Sequence, residues 1–340
     1  MEKQNKINLG INLLRMWMAF EVILLHRMSW KGYEGPFFQF LKACELFSVP
    51  VFMIISFYFS AKMIEQNDPA KMKERLIRLA VPQVGWAIIC WIVYVLTDII
   101  FMHDLQHNIA DLLIAIISGC RQNTNPSTWF QAVLILLTCF YFLVFRLLDK
   151  KKAWVFVYLS IGVALFVQFN GSYFRFFETM PYELTNTIGR IFEIMPFAGI
   201  GLLLRHIGIY EVLKEKRIAA ILISIVLFGL GFYLTFPSVE DFFGGLYPIY
   251  MAFFLFVIFL LLPLEKINNQ SRKVILTVSR FTLGIYCSHR LVYGIMEILY
   301  ELCGISLRNF SKCLVTYLVC YIGSYIVSLI PNKFIKNMVD

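Results

Sequence analysis

The sequence predicts an all-α, polytopic membrane protein of about ten transmembrane helices, with the N- and C-termini in the cytoplasm. Apolar residues make up 59% of the 340 residues. Charged residues make up only 16%, whereas soluble domains are about 25% charged. Apolar stretches of about 20 residues recur along the whole chain between charged or turn-rich breaks. We therefore expect one transmembrane domain over residues 1–340.

Ten apolar segments fit helices that cross a lipid bilayer. They lie at 9–28, 38–60, 79–101, 128–148, 153–170, 190–205, 217–236, 244–263, 274–299 and 312–331. The segment 153–170 is short, and 190–205 is interrupted by Pro196, Gly199 and Gly201. A short interfacial helix is expected near 109–119.

Basic residues orient these helices, because Lys and Arg are retained in cytoplasmic loops. With the N-terminus inside, the cations of the inner segments outnumber those of the outer segments three to one. This bias explains the net charge of +9 without nucleic acid as a partner. The first apolar run lacks a small-residue cleavage site, so it is expected to be retained as a helix. The composition suggests a bacterial source, and hence the bacterial cytoplasmic (inner) membrane.

Common cofactor and nucleophile signatures are absent. The eight cysteines are scattered without a Cys-x-x-Cys pair, so they predict no metal site. Cys303 and Cys313 could pair near the outer face, although a free pair is the preferred interpretation. His103 and His107 could form a weak metal site, but an ordinary solvated loop is preferred. The phosphate-binding loop, serine-hydrolase and zinc-protease motifs do not occur.

Arg15 and His26 lie eleven residues apart in the first predicted span. At about 100° and 1.5 Å per residue, both side chains fall on one helical face, roughly 16 Å apart along the axis. A guanidinium in hydrocarbon costs about 3 kcal/mol, so Arg15 should face a polar interior and have a function there. In the structural alternative, Arg15 binds carbonyls or Glu45, and His26 is an interfacial anchor.

Arg75 and Arg78 lie three residues apart at the start of the third predicted span, and so share a face just inside the inner surface. Two guanidiniums there could bind a phosphorylated ligand. Ordinary positive-inside anchoring explains the same residues, and it is the preferred interpretation of this segment taken alone.

These motifs, in this order, resemble the acyltransferase-3 family of membrane acyltransferases over nearly the whole chain. The residues that carry the resemblance are Leu14-Arg15 with His26, the second-span run 47–59 that contains Ser56, Arg75-Leu-Ile-Arg78 with Pro82 and Trp86, Trp129-Phe130, and Thr282-Leu-Gly-Ile-Tyr-Cys-Ser-His289. Phe57 departs from the pattern where a glycine is usual, as does Arg290 where a proline commonly follows the late histidine. No esterase-like extracytoplasmic domain follows, so a stand-alone member is expected.

The resemblance implies an O-acyltransferase, usually an O-acetyltransferase, that uses cytoplasmic acyl-coenzyme A (acetyl-CoA) as donor and no metal. The acceptor is a hydroxyl of a cell-surface glycan or its lipid-linked precursor. His26 and Arg15 would be the catalytic residues, with His26 as general base and Arg15 in the cavity toward which the pantetheine arm extends. Arg75 and Arg78 would bind the coenzyme phosphates. The roles of His289 and Glu21 stay open. The alternative is a glycan or lipid-linked saccharide exporter (flippase), which also needs a basic cavity but no coenzyme A.

Overall fold

The computed structural model describes residues 8–102, 108–119, 128–170, 182–235 and 247–339, and the regular structure in these ranges is helical. In chain order, α1 to α14 are Leu9–Arg27, Pro36–Glu65, Pro69–Thr97, Ile109–Ser118, Trp129–Leu147, Lys150–Asn170, Tyr182–His206, Ile209–Leu213, Arg217–Thr235, Tyr247–Leu261, Asn269–Arg280, Thr282–Leu302, Asn309–Ser328 and Lys333–Asn337. A π-helical turn, Asp98–Met102, continues α3. The predicted all-α class is confirmed for these residues, and α4 coincides with the interfacial helix expected near 109–119.

Seven helical segments in the described ranges are long and apolar enough to cross a membrane. They are α1, α2, α3 with its extension to Ile100, α5, α7 from Thr185, the run Ile209–Tyr233 through α8 and α9, and α13. The other three predicted spans coincide with α6, α10 and α12. Of these, α10 has only 15 residues, and α12 carries Arg290, Glu297 and Glu301. A membrane-spanning helical bundle is therefore supported, while the count of ten stays a prediction.

Two predicted spans have different boundaries in the structure. The span expected at 274–299 is divided at Phe281, whose N–H bonds the carbonyls of Ser279 and Val278 to end α11 before α12 begins at Thr282. The segment 190–205, expected to be interrupted by Pro196, is instead part of the continuous helix α7. Neighbouring residues in a bundle can satisfy the backbone groups that an internal proline frees.

The glycines of α7 serve close helix packing. A Cβ on Gly201 would lie 2.6 Å from the Ile54 carbonyl oxygen and 2.9 Å from Phe57 Cβ of α2. A Cβ on Gly199 would lie 2.5 Å from the side chain of Ile161 of α6. Such small residues let the backbones of membrane helices approach each other. They bring α7 into contact with both α2 and α6.

Helix α1 lies in the centre of the bundle, where it packs against α2, α10, α11, α12 and α13. It begins after Asn8, whose side-chain oxygen accepts from the N–H of Ile11 at 2.9 Å as an N-cap. The Asn8 amide nitrogen also donates to the Leu260 carbonyl at 2.9 Å. The start of α1 is thereby fixed beside the end of α10.

One end of the bundle, which we call the basic end, gathers the ends of several helices. Glu65 at the end of α2 pairs with Lys150 of α6 at 3.6 Å and with His206 of α7 at 3.1 Å. The Asn67 amide donates to the Phe145 carbonyl near the end of α5 at 2.7 Å. These contacts agree with the alternating helix directions that the loop charges predict.

The last described residues fold back onto the start of α12. The indole N–H of Trp86 in α3 donates to the Met338 carbonyl at 3.0 Å, and the N–H of Gly284 donates to the Val339 carbonyl at 3.3 Å. Met338 and Val339 are buried. This segment joins α3, α12 and α13 at the level of Thr282.

Candidate functional site

Arg15 is bound to helix α12. Its Nη2 donates to Thr282 Oγ1 at 2.9 Å, and that buried hydroxyl donates to the Ser279 carbonyl at 3.0 Å. Glu45, the partner in the structural alternative, accepts instead from the indole N–H of Trp30 at 3.0 Å. Arg15 is thus tied to a polar contact in the bundle interior, where a guanidinium in a membrane helix is expected to be.

His26 lies against a second histidine. Its ring stacks on that of His289 with centroids 5.3 Å apart and planes 18° from parallel. His289 is fully buried, and its Nδ1 lies 2.6 Å from the Tyr286 carbonyl oxygen. Because a carbonyl only accepts, Nδ1 carries the hydrogen, and Nε2 of the neutral ring is left with its lone pair. Within the described chain, this buried Nε2 has no hydrogen-bond partner.

Helices α1 and α12 are therefore joined at two levels, by Arg15 with Thr282 and by His26 with His289. The two contacts are eleven residues apart on α1, or roughly 16 Å along its axis. We call the interface between these two levels the α1–α12 seam. The shared face that the sequence predicts for Arg15 and His26 is confirmed by the common partner helix.

Each histidine of the seam is followed by an arginine. Arg27 Nη2 donates to the Arg290 carbonyl at 3.1 Å, and its guanidinium lies 4.4 Å from the centre of the Tyr293 ring. Guanidiniums held this way can stabilise negative charge that develops beside the His26 ring.

Aromatic side chains line the bundle between the two levels of the seam. The ring of Tyr286 lies 5.4 Å from Phe130 of α5 and 6.4 Å from Phe52 of α2, and Phe52 and Phe130 are 6.3 Å apart. Tyr286 also lies 6.1 Å from His289, ring to ring. These contacts place an apolar wall directly beside the histidines.

Arg75 and Arg78 point in different directions. Arg75 Nη2 donates to Ser56 Oγ of α2 at 2.7 Å, while its buried Nε has no partner in the described chain. Arg78 is 69% exposed and pairs with Glu74 at 3.0 Å. The structure therefore directs Arg75 into the bundle and Arg78 outward. Helices α1 and α3, which carry Arg15 and Arg75, both contact α2 and α12.

Glu21 occupies a different face of α1. Its carboxylate is buried and accepts from the indole N–H of Trp17 at 2.6 Å. The angular separation of about 140° from His26 agrees with this partner, since side chains so far apart on a helix do not meet. Glu21 pairs with an indole rather than with the histidines of the seam.

No group of three or more histidine, cysteine or acidic side chains in the described residues could hold a metal ion. His103 and His107 lie outside those residues. The described cysteines are free, including Cys303 and Cys313.

A family model described as an acyltransferase domain matches residues 8–331, and this range contains Arg15, His26, Arg75, Arg78 and the partners described above. The chain belongs to the acyltransferase-3 family. No curated protein and no solved structure matches it. The resemblance that the motifs predict is confirmed, and with it an acyl-transferring membrane enzyme as the general class.

Two residues of this acyltransferase-3 protein depart from the motif pattern, and both have defined surroundings. Phe57 is fully buried, with its ring 5.7 Å from Tyr141 and its Cβ opposite Gly201 of α7. Arg290 supplies the carbonyl that receives Arg27. The glycine of α7 leaves room for the bulk of Phe57.

The partners of the predicted residues were not found by sequence reasoning. The motif 282–289 carries part of the family resemblance, but nothing in its sequence shows that its first residue meets Arg15 and its last meets His26. The signal that could have found them is its spacing, because residues 282 and 289 are seven apart and so share a helical face.

Proposed function

We propose that this protein transfers an acyl group, in the first instance acetyl, from acyl-coenzyme A at the basic end to a hydroxyl at the His26 end of the seam. The observation that carries the proposal is the α1–α12 seam itself, in which Arg15 and His26 lie on one face of α1, roughly 16 Å apart, and contact Thr282 and His289 of α12. A donor bound at one level and an acceptor at the other would meet along this face.

The donor side is the basic end, which we assign to the cytoplasm from the excess of Lys and Arg in its loops. Arg75 is poised to bind a coenzyme phosphate, because its Nη2 contacts a neutral hydroxyl rather than a carboxylate. A phosphate oxygen makes a stronger, charge-assisted hydrogen bond than a serine hydroxyl. Arg78 lies on the solvent-exposed side of α3, so it could bind a coenzyme phosphate only after its ion pair with Glu74 breaks. The pantetheine arm would extend past Arg15 toward His26.

His26 is the general base of the proposed reaction. It takes the proton of the acceptor hydroxyl as the oxygen attacks the thioester carbonyl. The tetrahedral intermediate then expels the coenzyme thiolate, which receives that proton and leaves as the free thiol. An ester and a thiol thus replace an alcohol and a thioester. The guanidiniums of Arg27 and Arg290 would stabilise the oxyanion of the intermediate.

His289 is a positioning residue in this scheme. Its ring is fixed by burial and by the bond to the Tyr286 carbonyl, so it offers a rigid plane against which the His26 ring is held. A catalytic group held in one orientation reacts faster than a mobile one.

The acceptor that we propose is a hydroxyl of a cell-surface glycan or its lipid-linked precursor, presented at the outer side of a bacterial cytoplasmic membrane. The family match favours acyl transfer over the exporter alternative. An exporter would also have no need of a base beside the acceptor, whereas the seam holds two imidazoles in contact.

Sealed vesicles test this proposal. Right-side-out vesicles from cells that make the protein are loaded with labelled acetyl-CoA, and the outer glycan is analysed for label that mild alkali removes. We expect labelled ester outside and coenzyme retained inside, and no ester with vesicles that carry His26→Ala. Transfer only when donor and acceptor share a compartment would contradict the trans-bilayer path. Glycan movement without any ester would favour the exporter.

A further inference from the structure

Two arginines meet at the His26 level of the α1–α12 seam. Arg27 Nη2 donates to the Arg290 carbonyl at 3.1 Å, and the Arg27 guanidinium lies 4.4 Å from the centre of the Tyr293 ring. Each arginine directly follows one of the stacked histidines, His26 on α1 and His289 on α12. We call Arg27 and Arg290 the seam arginines.

The seam arginines are partly buried, yet neither has an acidic partner. Within the part of the chain that the structure describes, no carboxylate forms an ion pair with Arg27 or Arg290. The Nε atom of Arg27 is buried there without a hydrogen-bond partner. A charge withdrawn from water is costly unless an opposite charge compensates for it. The two guanidiniums therefore carry positive charge that the described protein does not neutralise.

Two other partly buried cations at the same end of the described bundle do have a carboxylate. Lys312 of α13 donates to both carboxylate oxygens of Glu297, at 3.0 and 3.1 Å. Arg190 of α7 pairs with Glu193 at 2.6 Å. Exposed cations such as Arg308 remain in water and need no such partner. The seam arginines differ from both groups, because they are partly withdrawn from water and not paired.

The acidic residues of α1 and α12 are engaged elsewhere. Glu21 of α1 accepts from Trp17 on a different face of that helix. Glu297 is the first acidic residue of α12 and is bound by Lys312 through both of its oxygens. Glu301 is exposed, three turns beyond the seam arginines. A counter-ion for the seam arginines would therefore come from a ligand.

We propose that the seam arginines bind an anionic group of the acceptor, so that the acceptor is an acidic sugar with a carboxylate or phosphate close to the hydroxyl that is acylated. Arginine forks bind the oxygens of both groups bidentately. An anion held there would lie beside the His26 end of the seam, because each arginine adjoins one of its histidines. The proposal rests on the proposed function, since it names the acceptor class of that same site.

This role is compatible with stabilisation of the oxyanion. A guanidinium has five N–H donors, and the contact of Arg27 with the Arg290 carbonyl uses one of them. The remaining donors of the pair can serve both the acceptor anion and the tetrahedral intermediate. A neutral sugar would displace water from the guanidiniums without supplying a counter-charge, and this penalty gives the site its preference for acidic sugars.

The test measures the Kd of three sugars for the full-length protein in nanodiscs of neutral phosphatidylcholine, without any acyl donor. The sugars are methyl β-D-glucuronide, methyl β-D-glucuronamide and methyl α-D-glucoside 6-phosphate. The glucuronamide has nearly the shape of the glucuronide but lacks its charge. The variants are Arg27→Gln, Arg290→Gln and the charge-retaining Arg290→Lys. The control is Arg308→Gln, which removes an exposed cation at the start of α13 whose side chain makes no capping bond.

We expect the unaltered protein and Arg308→Gln to bind at least one of the two anionic sugars about tenfold more tightly than the glucuronamide. The tighter anionic sugar identifies carboxylate or phosphate as the group of the acceptor. In Arg27→Gln and Arg290→Gln, the preference should fall below about twofold, and Arg290→Lys should retain part of it.

Two results overturn the proposal. One is equal binding of all three sugars by the unaltered protein, a comparison that needs no variant to fold. The other is a loss of preference in Arg308→Gln as large as that in Arg290→Gln, because the preference would then reflect the general charge of the surface. Failure of the proposed function is recognised separately, since the unaltered protein would then form no ester in the vesicle experiment whatever its sugar preference.

Discussion

The rings of His26 and His289 stack 5.3 Å apart across the interface of α1 and α12. One ring is half-buried at the last turn of α1, and the other is fully buried and bonded to a carbonyl. The pair therefore combines an accessible imidazole with a fixed one. This division predicts different consequences for substitutions of the two residues.

His26→Ala should lower kcat for acyl transfer by about 10²–10⁴, the usual contribution of a general base. Tm should change little, because a half-buried ring at a helix end contributes modestly to packing. The matched control is His206→Ala, which removes another imidazole packed against an aromatic ring, Trp154, on α7 rather than on α1 or α12. Full activity of purified His26→Ala would eliminate this residue as the base.

His289→Phe should retain more activity than His289→Ala, because a phenyl ring preserves the surface on which His26 stacks. His289→Ala should lower kcat by about 10²-fold through misplacement of His26, with little change in KM for the coenzyme. The readout is kcat and KM measured separately at equal amounts of folded protein. Equal loss in both variants would instead assign His289 a direct part in proton transfer.

Thr282→Val should destabilise the protein by about 1–3 kcal/mol, because it keeps the side-chain shape but leaves a donor of Arg15 unpaired. Thr282→Ser keeps the hydroxyl and is the matched control. Thermal unfolding in detergent measures the difference between them. Arg15→Lys tests the other side of this contact. Full acyl-transfer activity in that variant would show that a positive charge suffices at this position and that the planar guanidinium is not required.

Arg75→Ala should weaken acyl-coenzyme A binding by about 1.5–3 kcal/mol, as expected for a lost charge-assisted contact. Arg78→Ala should cost less than about 1 kcal/mol, because its guanidinium is exposed and already paired with Glu74. The coenzyme Kd distinguishes these two variants, which differ by three positions on one helix. Equal losses would mean that Arg78 leaves Glu74 to join the donor site.

Labelling of Cys303 can test the orientation of the protein in the membrane. This residue is exposed just past the end of α12, away from the level of Arg15 and Thr282. Cys120 lies outside the described residues, so the test uses a Cys120→Ser background to exclude its labelling. A membrane-impermeant maleimide added outside intact cells should label Cys303, and Cys303→Ser should abolish the signal. Labelling only after lysis would reverse the orientation that the basic loops predict.

The helical frame could be predicted from the sequence because apolar length and loop charge are local properties. The shared face of Arg15 and His26 follows from helical periodicity alone. Their partners could not be predicted, since Thr282 and His289 lie more than 260 residues away and the register of α12 against α1 depends on tertiary packing. The break at Phe281 was missed for a related reason, because a single residue in a turn conformation leaves the apolar pattern unchanged.

The joint phosphate site predicted for Arg75 and Arg78 shows a further limit of sequence-based prediction. Residues three apart on a helix differ by about 60° in direction, and the position of the neighbouring helix decides which of them is buried. Ser56 of α2 accepts a hydrogen bond from Arg75, whereas Arg78 lies outside the contact between the two helices.

The glycines of α7 show the same limit. In the sequence they look like interruptions of a helix, but in the bundle they are the points where α2 and α6 approach α7.

The double attachment of α1 to α12 has a consequence for the length of acyl chain that the protein can use. Because both levels of the seam belong to the same two helices, the distance from the basic end to His26 cannot increase to suit a larger donor. The apolar wall of Phe52, Phe130 and Tyr286 lies between the two levels, so additional methylenes would extend beyond it, past His26 and among the guanidiniums of Arg27 and Arg290. Each additional methylene would lack the stabilisation of about 0.8 kcal/mol that burial in apolar surroundings provides. We therefore expect the rate of transfer to fall steadily from acetyl to propionyl to butyryl donors.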